Sequence, residues 1–178
     1  KSALLSGPVT ARLYREVAPN RDGTIDNTIV AHEWGHYISN RLIADGNGLG
    51  NTQGGGMGEG WSDFHALLLV VRPEDTAVPS NTTFNGVYPL ASYATSGNAV
   101  LGGGNEGYYF GIRRYPYATD LGKNPLTFRH ITTGVALPSG PPVNGGGDNA
   151  EVHRTGEVWA NMLWECYAAL LRDSGRLT

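Results

Sequence analysis

Cysteine is nearly absent: Cys166 is the one thiol in 178 residues, so no internal disulfide can form and cysteine usage says nothing about compartment. Long apolar runs are missing too. The longest, Ala66 to Val71, has six residues against the ~20 needed to cross a bilayer, so no segment is expected to span a membrane. There is no excess of positive charge. Thirteen Lys and Arg against sixteen Asp and Glu give a net charge of -3, with a pI near 5.9, which argues against nucleic acid as a partner. No apolar leader opens the chain; Lys1 runs straight into ordinary sequence, as expected where a signal peptide is absent or already removed. No internal repeat is evident. Glycine is abundant instead, at 26 residues, about twice the usual share, so much of the chain is expected to be loop. The length fits one domain, large enough to bury a core.

The chemistry-bearing stretch is Asp26 to Asp45. Ile25, Ile29, Val30, Ile38 and Leu42 recur at helical spacing, and Asp26 can accept backbone N–H bonds at the start, which predicts one helix. Inside it lies His32-Glu33-Trp34-Gly35-His36. Four residues at ~1.5 Å rise and ~100° each bring His32 and His36 one turn apart on one face, where two imidazoles can meet one tetrahedral metal ion. Glu33 sits on the margin of that face, placed to take a proton from water held there. Five residues in a pattern can also arise by chance on a solvated helix. The downstream stretch Gly54-Gly55-Gly56-Met57-Gly58-Glu59-Gly60-Trp61-Ser62-Asp63 reduces that concern, because it offers a third ligand, Glu59. Two His and one Glu with one open position is a known catalytic zinc set.

Along the rest of the chain, Ala3 to Leu5 and Ala11 to Tyr14 are short extended candidates, separated by Gly7-Pro8. A glycine- and asparagine-rich loop covers residues 44 to 50. A second helix is expected from Met57 or Gly58 to Pro73, because Trp61, Phe64, Leu68 and Val71 recur at spacings of three and four. Residues 74 to 152 predict loops, short strands and a one-turn helix. Within them Arg113-Arg114-Tyr115-Pro116-Tyr117 suits either a cleft wall or a loop using Arg and Tyr for packing. Pro138 to Gly147 reads as a linker. A third helix is expected from about Thr155 to Asp173, with Val158, Trp159, Met162, Leu163, Cys166 and Leu170 on its apolar face and Gly175 as a stop. Cys166 then reads as an inert core thiol, and His65 and His130 as structural or surface histidines. Asn81-Thr82-Thr83 is one glycosylation acceptor pattern, meaningful only in a glycosylating secretory setting.

Taken together, Arg21-Asp22-Gly23 with Ile25-Asp26-Asn27, His32 to Leu42, Gly55 to Phe64, Arg113 to Tyr117 and Gly156 to Leu163 resemble, in order and spacing from about residue 12 to the end, the fungalysin family of zinc metallopeptidases. That family is similar to thermolysin at the active site. The resemblance implies His32, His36 and Glu59 as zinc ligands and Glu33 as catalytic base. It also draws in Asp148-Asn149-Ala150-Glu151-Val152-His153, similar to a segment in which an aspartate orients a histidine that contacts the reaction intermediate. A carboxylate on one imidazole nitrogen fixes the ring and leaves the other N–H for a developing oxyanion. Asp63, one turn past Glu59, is placed to bond the free N–H of His32, the usual partner of a ligating imidazole; the alternative is an aspartate merely favoured by the helix dipole.

Three departures stand out. Leu49 to Met57 lacks the tyrosine that thermolysin-like enzymes carry before the glutamate ligand, leaving Tyr115, Tyr117 and Arg114 as candidates for oxyanion duty. No asparagine-bearing edge strand for substrate precedes the first helix. The family's catalytic unit also extends beyond both ends of this chain and is made with a prosegment, so the resemblance implies a prosegment inhibitor as a candidate partner outside it. The implied fold is α+β, mainly helical: a thermolysin-like metallopeptidase core with a zinc-binding helix, a glutamate-ligand helix, a C-terminal helix and glycine-rich loops. Residues 1–178 are then one catalytic core, a fragment or shortened form of a longer catalytic region. The implied activity is zinc-dependent hydrolysis of internal peptide bonds in protein or peptide substrates, outside the cell. The alternatives are an aminopeptidase with the same zinc site and an inactive zinc-stabilised interaction module.

Overall fold

The computed structural model describes residues 21–96, 107–138 and 147–174. The extended candidates before residue 20 and most of the 138–147 linker lie outside these residues. Three long helices organise what is described: α1 (Asn27–Leu42), α2 (Thr52–Val70) and α5 (Val152–Ser174). Between α2 and α5 run two single-turn helices, α3 (Ser92–Thr95) and α4 (Gly107–Phe110), and 3-10 turns at Pro73–Ala77 and Phe128–Ile131; further 3-10 turns at Gly23–Ile25 and Ala44–Gly46 precede α1 and α2. The fold is mainly helical. Among the described residues there is no strand, only one antiparallel bridge between Tyr88 and Tyr117. No helix of the described residues is long and apolar enough to cross a membrane.

Each long helix starts for a local reason. Asp26 caps α1, its Oδ1 accepting from Thr28 N at 3.0 Å and Thr28 Oγ1 at 2.6 Å. Its Oδ2 accepts from Ala94 N at 3.0 Å, so the same buried carboxylate ties α3 to α1. At the other end Ile43 is extended and Ala44 and Asp45 are left-handed, which stops α1 at Leu42, short of Asp45. α2 begins at Thr52, earlier than the Met57 or Gly58 expected from its glycines. Asn51 caps it by accepting from Gly54 N at 2.7 Å, and the glycines that would weaken an isolated helix are buried against neighbours here. α5 likewise begins at Val152, a turn's worth ahead of Thr155.

The faces differ from the periodicity. On α1 the buried residues are Ala31 and Gly35, while Val30, Ile38 and Leu42 are exposed. On α2 the buried side is Gly54, Gly56, Gly58, Gly60, Ser62, Asp63, Ala66 and Leu67; Trp61 and Leu68 face outward. On α5, Val158 is buried with Gly156, Glu157, Ala160, Asn161, Trp164 and Ala168, whereas Met162, Leu170 and Cys166 are exposed. Cys166 is therefore not a core thiol. The reason is the same in each helix: close crossings need small residues, and polar side chains go inside where they find partners. Glu157 bonds Arg114, and Asn161 Oδ1 accepts from Ala118 N at 3.1 Å and Asn124 Nδ2 at 3.2 Å.

The core joins these helices to the connecting segment. Trp164, Ala160 and Ala168 of α5 pack with Ala66 and Leu67 of α2, Ala31 of α1, and Tyr88, Leu90 and Tyr117. The Asn81 amide is used internally: its Nδ2 donates to Tyr88 Oη at 2.9 Å and its Oδ1 accepts from Gly86 N at 2.6 Å, which leaves the sequon's nitrogen engaged in the fold.

Gly35 and Gly156 mark the two closest crossings. A Cβ on Gly35 would lie 2.7 Å from Ser62 Cα, and one on Gly156 would lie 2.6 Å from Glu59 Cβ and 2.9 Å from Gly60 N. Gly156→Ala should therefore push α5 off α2. The helix-propensity gain of up to ~1 kcal/mol is outweighed by an overpacking cost of about 1–3 kcal/mol. The expected outcome is a lower Tm; calorimetry of the variant checks it, and an unchanged Tm would contradict the crossing.

Candidate metal centre

Three donor atoms converge from α1 and α2. His32 Nε2 and His36 Nε2 stand 3.0 Å apart, Glu59 Oε2 is 3.3 Å from the former, and Glu59 Oε1 is 3.5 Å from the latter. A tetrahedral ion with bonds of ~2.0–2.2 Å separates its ligand atoms by ~3.3–3.6 Å, the range of the two Glu59 distances, with the two imidazoles slightly closer. The spacing thus matches one ion shared by three ligands, and these residues form a group of potential metal donors. Glu59 Oε2 is also buried without a hydrogen-bond partner. A carboxylate whose two oxygens face the His32 and His36 ring nitrogens, with one oxygen buried and lacking a hydrogen-bond donor of good geometry, suits a cation between them.

Asp63 fixes the His32 ring. Its Oδ1 accepts from His32 Nδ1 at 2.6 Å and from an Arg113 terminal nitrogen at 2.7 Å; its Oδ2 accepts from Arg113 Nε at 2.7 Å and from the Tyr117 hydroxyl. With Asp63 an anion, His32 donates from Nδ1, so the lone pair of the neutral ring sits on Nε2 and faces the other donors. Burial opposes ionisation of Asp63, yet Arg113 and His32 hold its carboxyl well below the usual range. Burial also opposes protonation of His32, but the bonds to Asp63 and Glu59 win and the ring is pushed up to about 9 in the metal-free protein. Glu59 is held below the ordinary range as well: burial raises it, and the two imidazoles outweigh burial.

Arg113 is the site residue that sequence reasoning missed. Its side chain is buried, and a terminal nitrogen lies 3.9 Å from Glu59 Oε2. Gly111 sends the chain there: it is left-handed, at φ +63°, and a Cβ on it would lie 2.0 Å from Leu90 O. The candidates proposed for oxyanion duty lie elsewhere. Tyr117 bonds Asp63, Tyr115 Oη donates to Pro138 O at 3.2 Å, and Arg114 is buried against Glu157 and Asn149. Two adjacent arginines in sequence carry no sign of which one turns toward the donors.

His153, at the start of α5, brings Nε2 to 3.4 Å from Glu59 Oε1. Its Nδ1 is held at 2.5 Å by Glu151 Oε1, not by Asp148. Asp148 instead shapes the turn before α5, accepting from Ala150 N at 3.0 Å and Thr133 Oγ1 at 3.1 Å. Asp148 is turned to those two donors, and Glu151 is the carboxylate at the ring. Glu33 is exposed and lines a cavity of about 140 Å³ that also touches His32, Arg113 and His153. His65 and His130 do not join the centre: His65 Nδ1 bonds Ala31 O at 2.9 Å, and His130 Nδ1 accepts from Thr127 N at 2.8 Å.

The helices and donor set define a metallopeptidase-type centre, two His one turn apart on one helix and a Glu from the next. The sequence profile of the fungalysin metallopeptidase family (M36) matches residues 6–178, and the chain belongs to that family. Similar relatives include extracellular metalloproteinase mep of Aspergillus niger, 32% identical over 97% of this chain, and its namesake in Aspergillus fumigatus, 33% identical over 96%. Extracellular metalloproteinase 3 of Arthroderma gypseum is 34% identical over 94%. The chain spans 22% of the length of each of these relatives. Membership of a metallopeptidase family implies a metal, and the His32, His36 and Glu59 group is compatible with one.

A ligating imidazole must be neutral, so metal uptake near pH 7 has to expel the proton that the Asp63 and Glu59 contacts keep on His32. Affinity for a divalent cation held by the His32 ring should fall by about tenfold per pH unit below about 9 from this group alone, since one proton leaves per ion bound. Calorimetric titration of the metal-free chain in buffers of differing ionisation enthalpy checks this; binding with no proton release would contradict it.

Proposed function

We propose that this chain is the single catalytic core of a secreted zinc metalloendopeptidase with a thermolysin-like active site. The carrying observation is the 3.0–3.5 Å triangle of His32, His36 and Glu59 atoms, with Glu33 and His153 on its open side. The relatives' names support an extracellular setting. Zinc is the metal that best suits two imidazoles and one carboxylate with a position left open.

Zinc, when bound, supplies the positive charge that acidifies water and polarises a scissile carbonyl. Glu33 then takes the proton of the attacking water as its oxygen bonds to the carbonyl carbon. It delivers that proton to the departing amine as the C–N bond breaks. His153, held through Nδ1 by Glu151, turns Nε2 toward the oxyanion as a donor. Arg113, anchored through Asp63, extends a terminal nitrogen toward the same space and supplies the cationic donor for a substrate carbonyl. Asp63 keeps His32 in the tautomer that ligates.

The cavity of about 140 Å³ beside these groups is walled by Ile29, Leu90, Ala91 and Ile112. It is proposed to receive an apolar side chain of the peptide, whose desolvation helps to seat the bond against Glu33.

Glu33→Gln should keep zinc binding and lose turnover by about 10²- to 10⁴-fold, the usual worth of a positioned base. The assay is cleavage of casein and of an amino-blocked peptide with and without a chelator. Chelator-sensitive cleavage of the blocked peptide is the expected result; wild-type turnover in Glu33→Gln would remove Glu33 from its role.

A further inference from the structure

Arg113 and Arg114 are consecutive and both buried, yet they grip different halves of the site. Arg113 holds Asp63, and through it His32. Arg114 turns to the segment that carries His153. Its Nε donates to Glu157 Oε2 at 2.8 Å, one terminal nitrogen to Asn149 Oδ1 at 2.8 Å and the other to the Arg154 carbonyl at 2.8 Å. Its backbone N–H adds a bond to Glu157 Oε1 at 2.9 Å. These partners flank His153 on both sides in sequence. Asn149 extends the hold, its Nδ2 donating to the carbonyls of Thr132 at 3.2 Å and Val135 at 2.7 Å.

The His153 ring, by contrast, has little of its own to hold it. It is half exposed, and among the described residues its hydrogen-bond partner is Glu151, which is itself exposed. The position of the ring relative to Glu59 is therefore set by the backbone of residues 149–157, and that backbone is set by a guanidinium. Only a planar fork with donors in three directions can reach a carboxylate, an amide oxygen and a carbonyl at once; a lysine ammonium at the same place is a single point of contact.

We propose that Arg114 is the positioning residue for His153, seating the start of α5 and, through one peptide unit shared with Arg113, fixing that histidine relative to the His32, His36 and Glu59 donors. Consecutive Cα atoms across a trans peptide stay ~3.8 Å apart, so the two grips cannot drift independently. The inference rests on the oxyanion role given above to His153, because only that role makes the placement matter for rate.

A double-mutant cycle of Arg114→Lys and His153→Ala on the zinc-loaded chain tests it, with imidazole NMR of the metal-free chain as a readout independent of turnover. Arg114→Lys should lower kcat by up to about 100-fold, the scale of an ångström-level misplacement, while KM and zinc affinity stay within about twofold. In the His153→Ala background the same change should cost little. The His153 ring resonances should shift or broaden in Arg114→Lys while those of His65, on α2 against Ala31 O, remain in place. Glu157→Gln, which keeps the shape of the acceptor, should repeat the pattern more weakly and serves if Arg114→Lys does not fold. Full additivity in the cycle, an equal loss of zinc affinity, or unmoved His153 resonances would overturn the proposal. Intact turnover in His153→Ala alone would instead overturn the oxyanion role, and the NMR comparison would then decide the Arg114 hold by itself.

Discussion

A buried carboxylate with every lone pair in use, that of Asp63, is the point on which the centre depends. Four donors meet its two oxygens: His32, Arg113 twice, and Tyr117. A charge taken out of water at this depth is tolerable only because those donors are in place, and losing one member of such a buried pair costs about 3–5 kcal/mol. The same bonds choose the His32 tautomer, aim its other nitrogen at His36 and Glu59, and bring Arg113 beside them. Stability and the placing of the donor atoms thus rest on the same bonds.

Around that point the helices are held unusually close. Gly35 lets α1 lie against Ser62, and Gly156 lets α5 lie against Glu59 and Gly60. The result is a site in which donor atoms from α1 and α2 and the histidine at the head of α5 come within a few ångströms, with Val30, Ile38, Leu42, Trp61 and Leu68 turned outward. Apolar packing is concentrated in the core cluster that includes Trp164, Tyr88 and Tyr117. Tyr117 belongs to both, contributing its ring to the core and its hydroxyl to the carboxylate. Burial drives its hydroxyl well above the ordinary tyrosine range, so it remains a donor.

Legibility in the sequence followed the range of the interaction. The cap at Asp26, the one-turn spacing of His32 and His36 and the offer of Glu59 and Asp63 one turn apart are short-range facts, and they could be read directly. The start of α2 could not, because glycine propensity argues for a loop until a cap and two neighbouring helices are supplied. The inward face of α5 was misread for a related reason. Counting apolar residues picks Met162, Cys166 and Leu170, whereas Glu157 and Asn161 are buried since Arg114, Ala118 and Asn124 satisfy them. The choice of Glu151 over Asp148 for His153, and of Arg113 over Arg114 for the donors, turns on chain direction at a helix start and at a left-handed glycine.

By itself the sequence determined the donor types, their helical spacing and the family to which they belong, because hydrogen-bond capacity and a 3.6-residue repeat are properties of neighbouring residues. Tertiary structure alone decided how near the donors come, which arginine reaches them and which carboxylate steadies the histidine of α5. Those outcomes depend on contacts between segments some 30 to 90 residues apart in the chain, and such contacts form only when the whole set of close-packed helices is in place.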